Sequence, residues 1–462
     1  MQGRSGFSAA RPEILLIGLF VASLGAVTPR IYASDEAQYF AYLRSLWFDH
    51  DVSFDNEYRA MYDRGWVRTD GFRATFLERT TETGRRLNFA TLGCAMLWSP
   101  LYGVADIYQA ATRGRTSPER SGFEPPYVRA VAWGSALYGL FALLLSCAIV
   151  RRLGLEPSPA VFTVWLGTPL LFYMYVAPPM SHACSAFAVA LFVWTWLRVR
   201  DAWQTGGCVA LGIAAALMAM VREQDVFFLV GPAVDFAWRF VRAPSERMRL
   251  FRGALAGAAA GAACYLPQVA AYVALNGSPG PSRLVARKMT WWAPHGLQVL
   301  ASPEHGLLFW TPLAALALAG LMIAWRRAAP DGPDTPCPRI VTVCLLAMIA
   351  TQVYVSGAVE SWTVAGAFGQ RRFVGLTAFF VIGLAVLWAR AGRGRRLLAF
   401  AFILCVWWNL GLMAQFGTGE MDRQRLELGR NAAYTFGTLP AELPRLVWRY
   451  LFDRASFYRP AP

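Results

Sequence analysis

Charge is scarce in this sequence, and one kind of charge is nearly missing. Only 16% of the 462 residues are charged, against about 25% in a soluble protein. Hydrophobic residues make up 56% and the mean hydropathy is +0.35. A soluble enzyme is excluded, and the chain reads as a membrane protein. Lysine is confined to Lys288; every other basic residue is arginine, which reads as codon bias rather than chemistry. No CxxC occurs among the eight cysteines, most of which lie in apolar runs. That excludes a disulfide framework and a cysteine metal site, and the thiols act as small apolar residues. The net charge of +15 would suit a nucleic-acid binder. The basic residues, however, cluster at the ends of apolar runs and in one long loop, as membrane topology demands. No nucleic-acid partner is expected.

Apolar runs are what the sequence does have. A span needs about 20 apolar residues, and about eleven candidates meet or approach that criterion. They cover 13–28, 128–150, 159–177, 181–197, 206–221, 226–241, 253–275, 306–325, 339–355, 373–390 and 397–416. The first is short enough for a signal peptide, but the spans that follow favour an uncleaved helix. The expected fold is all-α and polytopic, with a large first outer loop, 29–127, that contains juxtamembrane helices. Residues 1–416 form the membrane domain and 417–462 a short outer tail.

Setting Arg4 and Arg11 inside places Arg151-Arg152, Arg198, Arg200, Arg239, Arg242 and Arg390 to Arg396 inside as well. Each short inner connection is then basic, as the positive-inside rule requires. Long loops are exempt, so the arginines of 29–127 do not count against this orientation. The same alternation puts all four histidines on the outer face, together with Asp35-Glu36, the Arg222–Asp225 corner, Glu360 and Arg371-Arg372. A transporter would place polar groups near the midplane, whereas these spans are almost free of charge.

A polytopic protein keeps carboxylates in water unless they serve a purpose. Asp35 and Glu36 follow the first span within a turn or two, where an enzyme acting on a lipid-linked substrate needs a general base. Glu36 to Phe48 reads as a helix with an aromatic face, and Ser34 is a plausible N-cap. Asp35 and Glu36 could then be ordinary capping acids at a helix start. The stretch Phe48 to Tyr58 is dense in oxygen ligands, but its spacing matches no calcium loop, and a polar turn is the simpler reading. Leu87 to Tyr108 reads as an interfacial helix. The outer loop 276–305 interleaves Arg283, Arg287 and Lys288 with Trp291 and Trp292, which suits a phosphate under an apolar chain or a sugar on indole. It could equally be an aromatic belt. Arg371-Arg372 enter a span from outside against the positive-inside preference, and a phosphate clamp would explain it. His182, in a tight turn, could bind phosphate or cap the turn; Arg222 could be locally salt-bridged.

These features resemble the GT-C membrane glycosyltransferases. They are most similar to the bacterial family 39 and lipid A aminoarabinose transferase branch, relatives of the protein O-mannosyltransferases. The matching residues are Ser34-Asp35-Glu36-Ala37-Gln38-Tyr39, Met96 to Tyr102, Leu166 to Leu170 with Ser181-His182-Ala183, and Phe368 to Phe373. The resemblance implies an enzyme of the bacterial inner membrane, its site facing the periplasm, that takes a sugar from a polyprenyl-phosphate carrier. The acceptor would be an envelope lipid, glycan or protein. Asp35 would be the catalytic carboxylate. The tail 417–462 is shorter than the outer C-terminal domain of many members.

The expected chemistry is inverting transfer. Asp35, with Glu36 second, takes the acceptor's proton. Arg371 and Arg372 hold the leaving phosphate, with Lys288, Arg222 and His182 as further candidates. Trp291 and Tyr39 complete the substrate-binding set. A divalent cation is possible and not required. A lipid-linked sugar flippase or a non-catalytic scaffold are the competing readings; the first needs polar groups through the spans and the second needs no clustered carboxylates and arginines.

Overall fold

The computed structural model describes residues 11–114, 120–327, 337–364 and 366–457. Arg4, used to set the orientation, lies outside them. The described residues are helical, with only two isolated β-bridges, Thr80 to Arg86 and Met289 to Val359.

Among the described residues, six helices are long and apolar enough to cross a membrane, and three shorter apolar ones accompany them at Pro12–Ala26, Thr205–Val221 and Leu313–Arg326. The chain is a multi-pass membrane protein. Nine of the expected spans fall on these helices, although 306–325 does so only from Leu313 onward, after the short helix Leu307–Trp310 and a break at Thr311-Pro312; the other two are interrupted as well. The run 159–177 is split into Ala160–Gly167 and Leu170–Tyr175. Pro169 is the cause: the residue before a proline is pushed out of helical geometry, and Thr168 is extended at φ −132°, ψ 164°. The run 226–241 begins as a 3₁₀ segment, Glu223–Leu229, before the helix Val230–Arg242.

Two of the helices approach unusually closely. A Cβ on Gly212 would sit 1.9 Å from the carbonyl oxygen of Gly257. Thr205–Val221 and Arg247–Asn276 can pack at that distance only because both residues are glycine, a common device between membrane helices.

The segment after the first span forms the helix Ser34–Arg44, continued by a π-turn over Ser45–Asp49. Phe40 is fully buried between Trp66, Tyr102 and Phe123. The oxygen-rich stretch Phe48 to Tyr58 is committed to neighbouring donors. Arg44 binds Asp49 and Glu57, Arg59 and Arg86 bind Asp55, and Ser45 donates to Asp51. The expected interfacial helix is Gly93–Arg113, with Trp98 and Tyr102 buried on one face and Val104, Ile107 and Tyr108 exposed on the other.

The tail 417–462 carries a helix the sequence reading did not place, Leu439–Phe452. It docks against the end of the first helix. Tyr450 donates to the carbonyls of Ala26 and Tyr175, and Arg454 donates to those of Val27 and Gly25.

Candidate active site at the junction of two cavities

Asp35 lies in the first turn of Ser34–Arg44. The N-cap is Ala33, not Ser34, so the expected cap is displaced by one residue. Alanine has no side chain to cap with, and Glu36 supplies the acceptor instead. Its Oε2 takes hydrogen bonds from the backbone N–H of Tyr32 at 2.8 Å and of Ala33 at 3.0 Å. This is the reaching-back half of a capping box. Glu36 is fully buried, and its Oε1 has no partner. Burial pushes its carboxyl up to about 8, against the downward pull of those two N–H groups. The two adjacent acids therefore differ sharply: Glu36 faces the protein, while the Asp35 side chain keeps 43% of its exposure.

Asp35 is met from far along the chain. Arg371 Nη1 donates to its Oδ2 at 2.7 Å. Arg371 opens a 3₁₀ turn, Arg371–Leu376, that leads into the helix Thr377–Arg390. Arg372 diverges from its neighbour, donating to the Ser356 carbonyl at 3.3 Å and to Ser361 Oγ at 3.2 Å.

That divergence matters because the two arginines line different cavities. Asp35 and Arg371 line one of about 1460 Å³, with Tyr173, Phe172 and Phe368 beside them and the tail residues Leu446 and Tyr450 along it. Arg372 lines a second, of about 1280 Å³, with Arg222, Lys288, Trp291 and Tyr39. Its floor is the glycine- and alanine-rich seam where Thr205–Val221 meets Arg247–Asn276, including Gly212, Ala216, Gly257 and Gly261. Asp35 and Tyr39 are one turn apart on the same helix. That turn and the Arg371-Arg372 pair form the partition between the two spaces.

The second cavity gathers Arg222, Arg372 and Lys288 at its polar end, with Glu223 beside them. Arg222 presents Nη1, which is buried without a hydrogen-bond partner. Lys288 reaches over the ring of Phe89 at 6.0 Å. Trp291 stacks on Tyr354 at 6.1 Å with 28° between the planes. Glu223 lines the same space, its carboxyl raised by burial to about 7. Asp225, behind it, accepts from Ser185 Oγ at 2.6 Å and is raised by burial to about 6.

His182 lines neither cavity. It is buried, with its ring 4.3 Å from that of Tyr173 and its Nδ1 unpartnered. Tyr173, which separates it from the larger cavity, escaped the sequence reading, as did Arg423. Arg423 lines that cavity and donates to the Phe416 carbonyl at 3.1 Å. Tyr173 sits inside an apolar run and carries no local signal. Arg423 is a cation just past the last span and could have been flagged by position.

No known family profile matches the chain, and no curated protein matches it. A solved structure does. It is that of ArnT from Cupriavidus metallidurans bound to undecaprenyl phosphate, with a TM-score of 0.53 and 14% identity. The match covers 97% of this chain and 79% of that one. At that identity the likeness is one of fold: the chain shares the polytopic, all-helical membrane architecture of that protein, which is the architecture expected from the sequence.

Proposed function

We propose that the protein is a membrane glycosyltransferase that moves a sugar from a polyprenyl-phosphate donor to an acceptor hydroxyl, with inversion at the anomeric carbon. The observation that carries this reading is the partition. Asp35, half-buried and held by Arg371, stands on one side of it, and Arg222, Arg372 and Lys288, none of them salt-bridged among the described residues, stand with Glu223 on the other, each side opening into a largely apolar cavity. The fold likeness to a structure that holds undecaprenyl phosphate supports a lipid-phosphate ligand.

The donor occupies the cavity of Arg222, Arg372 and Lys288. Its isoprenoid lies along the small-residue seam, and its phosphate meets the cations. Arginine suits this role because its planar fork matches a phosphate's oxygens. Trp291 offers an indole face to the sugar. The acceptor enters on the other side. As its hydroxyl oxygen attacks the anomeric carbon, the proton passes to an Asp35 oxygen and the bond from that carbon to the phosphate oxygen breaks. The phosphate leaves with the bonding electrons, and the fixed cations stabilise the charge that develops on it. Arg371 holds Asp35 at the partition and keeps its carboxylate paired until the acceptor arrives. Glu36 takes no proton in this scheme. It fixes the turn on which Asp35 stands. The arginine distribution supports a site on the outer face, which in a bacterial inner membrane is the periplasmic face.

The test uses the purified full chain reconstituted in sealed proteoliposomes with a radiolabelled polyprenyl-phosphate sugar and envelope extract. Release of polyprenyl phosphate coupled to a product of opposite anomeric configuration, read by NMR, is expected. Label that crosses the bilayer without cleavage of the donor would establish the flippase instead.

A further inference from the structure

Arg222, Glu223 and Gln224 stand in a row at the outer corner where the helix Thr205–Val221 gives way to the 3₁₀ segment Glu223–Leu229. All three line the cavity that the donor would occupy. Arg222 is extended, at φ −151° and ψ 119°, and successive side chains on extended backbone point to opposite sides. The two adjacent charges are accordingly kept apart. The Arg222 guanidinium acts on Tyr39 and Asp225. It does not act on Glu223, whose carboxyl is moved by burial alone, with neither a hydrogen bond nor a cation opposing it. Glu223 is thus a sheltered carboxylate without a partner. Next to it in the chain, Gln224 Nε2 is buried and makes no hydrogen bond.

Burying polar groups unpaired costs free energy, and a polar ligand between them would offset that cost. The two side chains offer complementary chemistry. An ionised carboxylate only accepts hydrogen bonds, and it has about four lone-pair sites; an amide NH₂ only donates. Adjacent hydroxyls of a sugar ring do both, so one can give its hydrogen to Glu223 while the next receives one from Gln224. Charge narrows the class further. An anionic ring, such as a uronate, would bring a second negative charge against an unpaired carboxylate in a sheltered space, where Coulomb repulsion is strong.

We infer that Glu223 and Gln224 select the donor's sugar, the first accepting hydrogens from its ring substituents and the second donating to them, and that this sugar carries no anionic group. The inference rests on the reading that the donor occupies this cavity, and it deepens that reading by naming the class of sugar. The hydrogens given to Glu223 would come from hydroxyls or from a ring ammonium, and the test separates the two.

Displacement of a fluorescent polyprenyl phosphate from the purified full chain in nanodiscs measures affinity without any transfer. The competitors are bare polyprenyl phosphate and its glucosyl, glucosaminyl and glucuronyl derivatives. In wild type the glucosyl derivative should bind at least about tenfold tighter than bare polyprenyl phosphate, as one hydrogen bond to a charged group provides. Glu223→Ala should remove most of that advantage, and Gln224→Ala a smaller part of it. The glucuronyl derivative should bind more weakly than the glucosyl one and recover in Glu223→Gln, which keeps an acceptor and loses the charge. A glucosaminyl advantage over glucosyl that disappears in Glu223→Gln assigns the hydrogens to an ammonium; equal or weaker glucosaminyl binding assigns them to hydroxyls. Bare polyprenyl phosphate, which has no ring, reports in each variant that the cavity is still formed. If it fails to bind wild type, the donor reading falls and this inference with it. If it binds, and the glucosyl advantage survives Glu223→Ala or the glucuronyl derivative matches the glucosyl one, the inference is overturned and the donor reading stands.

Discussion

The two large cavities hold similar volumes and similar apolar walls, yet they differ in what stands at their shared partition. On one side the functional groups are a half-buried carboxylate and the arginine paired with it, 2.7 Å apart. On the other are Arg222, Arg372 and Lys288, with no carboxylate salt-bridged to any of them among the described residues. A paired charge is largely satisfied before a ligand arrives, whereas a cation without a carboxylate partner in a sheltered space gains most when an anion enters. The difference assigns opposite tasks to neighbours in sequence. Arg371 and Arg372 look like a tandem clamp in the sequence, and in the fold they serve different spaces.

The largest effect should come from breaking the carboxylate side. Asp35→Asn should cut turnover by about 10²–10⁴-fold, the usual contribution of a general base, because an amide takes no proton at neutral pH. Donor binding, measured by quenching with a fluorescent polyprenyl-phosphate sugar, should not change. A variant that turns over normally with unaltered melting would show that the two sides do not divide as described.

Next come the cations, and here the contrast between adjacent arginines is the point. Arg222→Ala and Arg372→Ala should weaken donor affinity, each by about 1.5–3 kcal/mol, the range for a charge-assisted hydrogen bond. Lysine should restore only part of it, since an ammonium lacks the planar fork. Arg371→Ala should lower kcat and leave donor affinity close to wild type. If Arg371→Ala and Arg372→Ala lose donor affinity equally, the pair works as one clamp and the partition does not sort them. Lys288→Ala should fall below both, because that side chain is exposed and more screened.

How much of this could be read beforehand varies with the range of the interaction. Spans are written locally in apolar runs, and nine of them fall on apolar helices. The break at Thr168-Pro169 was also written locally, but the run's length outweighed its proline. The cap was missed by one residue because Ser34 is the better capping type. Glu36, three residues after Ala33, was the stronger clue to the register. The contact of Asp35 with Arg371 spans 336 residues and had no local trace. Neither did the position of Tyr173 in front of His182. The tail helix Leu439–Phe452 was illegible for another reason: an amphipathic helix does not form a long apolar run.

The smallest expected effect tests the partition itself through Glu36. As a positioning residue, Glu36 acts by accepting two backbone N–H groups, and a glutamine oxygen can accept the same two. Glu36→Gln should therefore keep turnover within a few-fold, whereas Glu36→Ala should lose about 0.5–2 kcal/mol of stability, as the removal of a helix cap does. The pH dependence adds an independent reading. The buried carboxyl is raised from 4.5 to about 8. Between those values the folded protein holds a proton that the unfolded chain has released, so stability falls as pH rises through this window and levels off above it. Glu57, Glu223 and Asp225 are raised by burial into the same range, so the wild-type slope has several sources. The comparison of wild type with Glu36→Gln isolates one of them. The melting temperature of the variant, followed from pH 5 to pH 8, should fall less steeply than that of wild type. An unchanged slope together with lost turnover would mean that Glu36 exchanges protons with substrate, and the catalytic carboxylates would then be two.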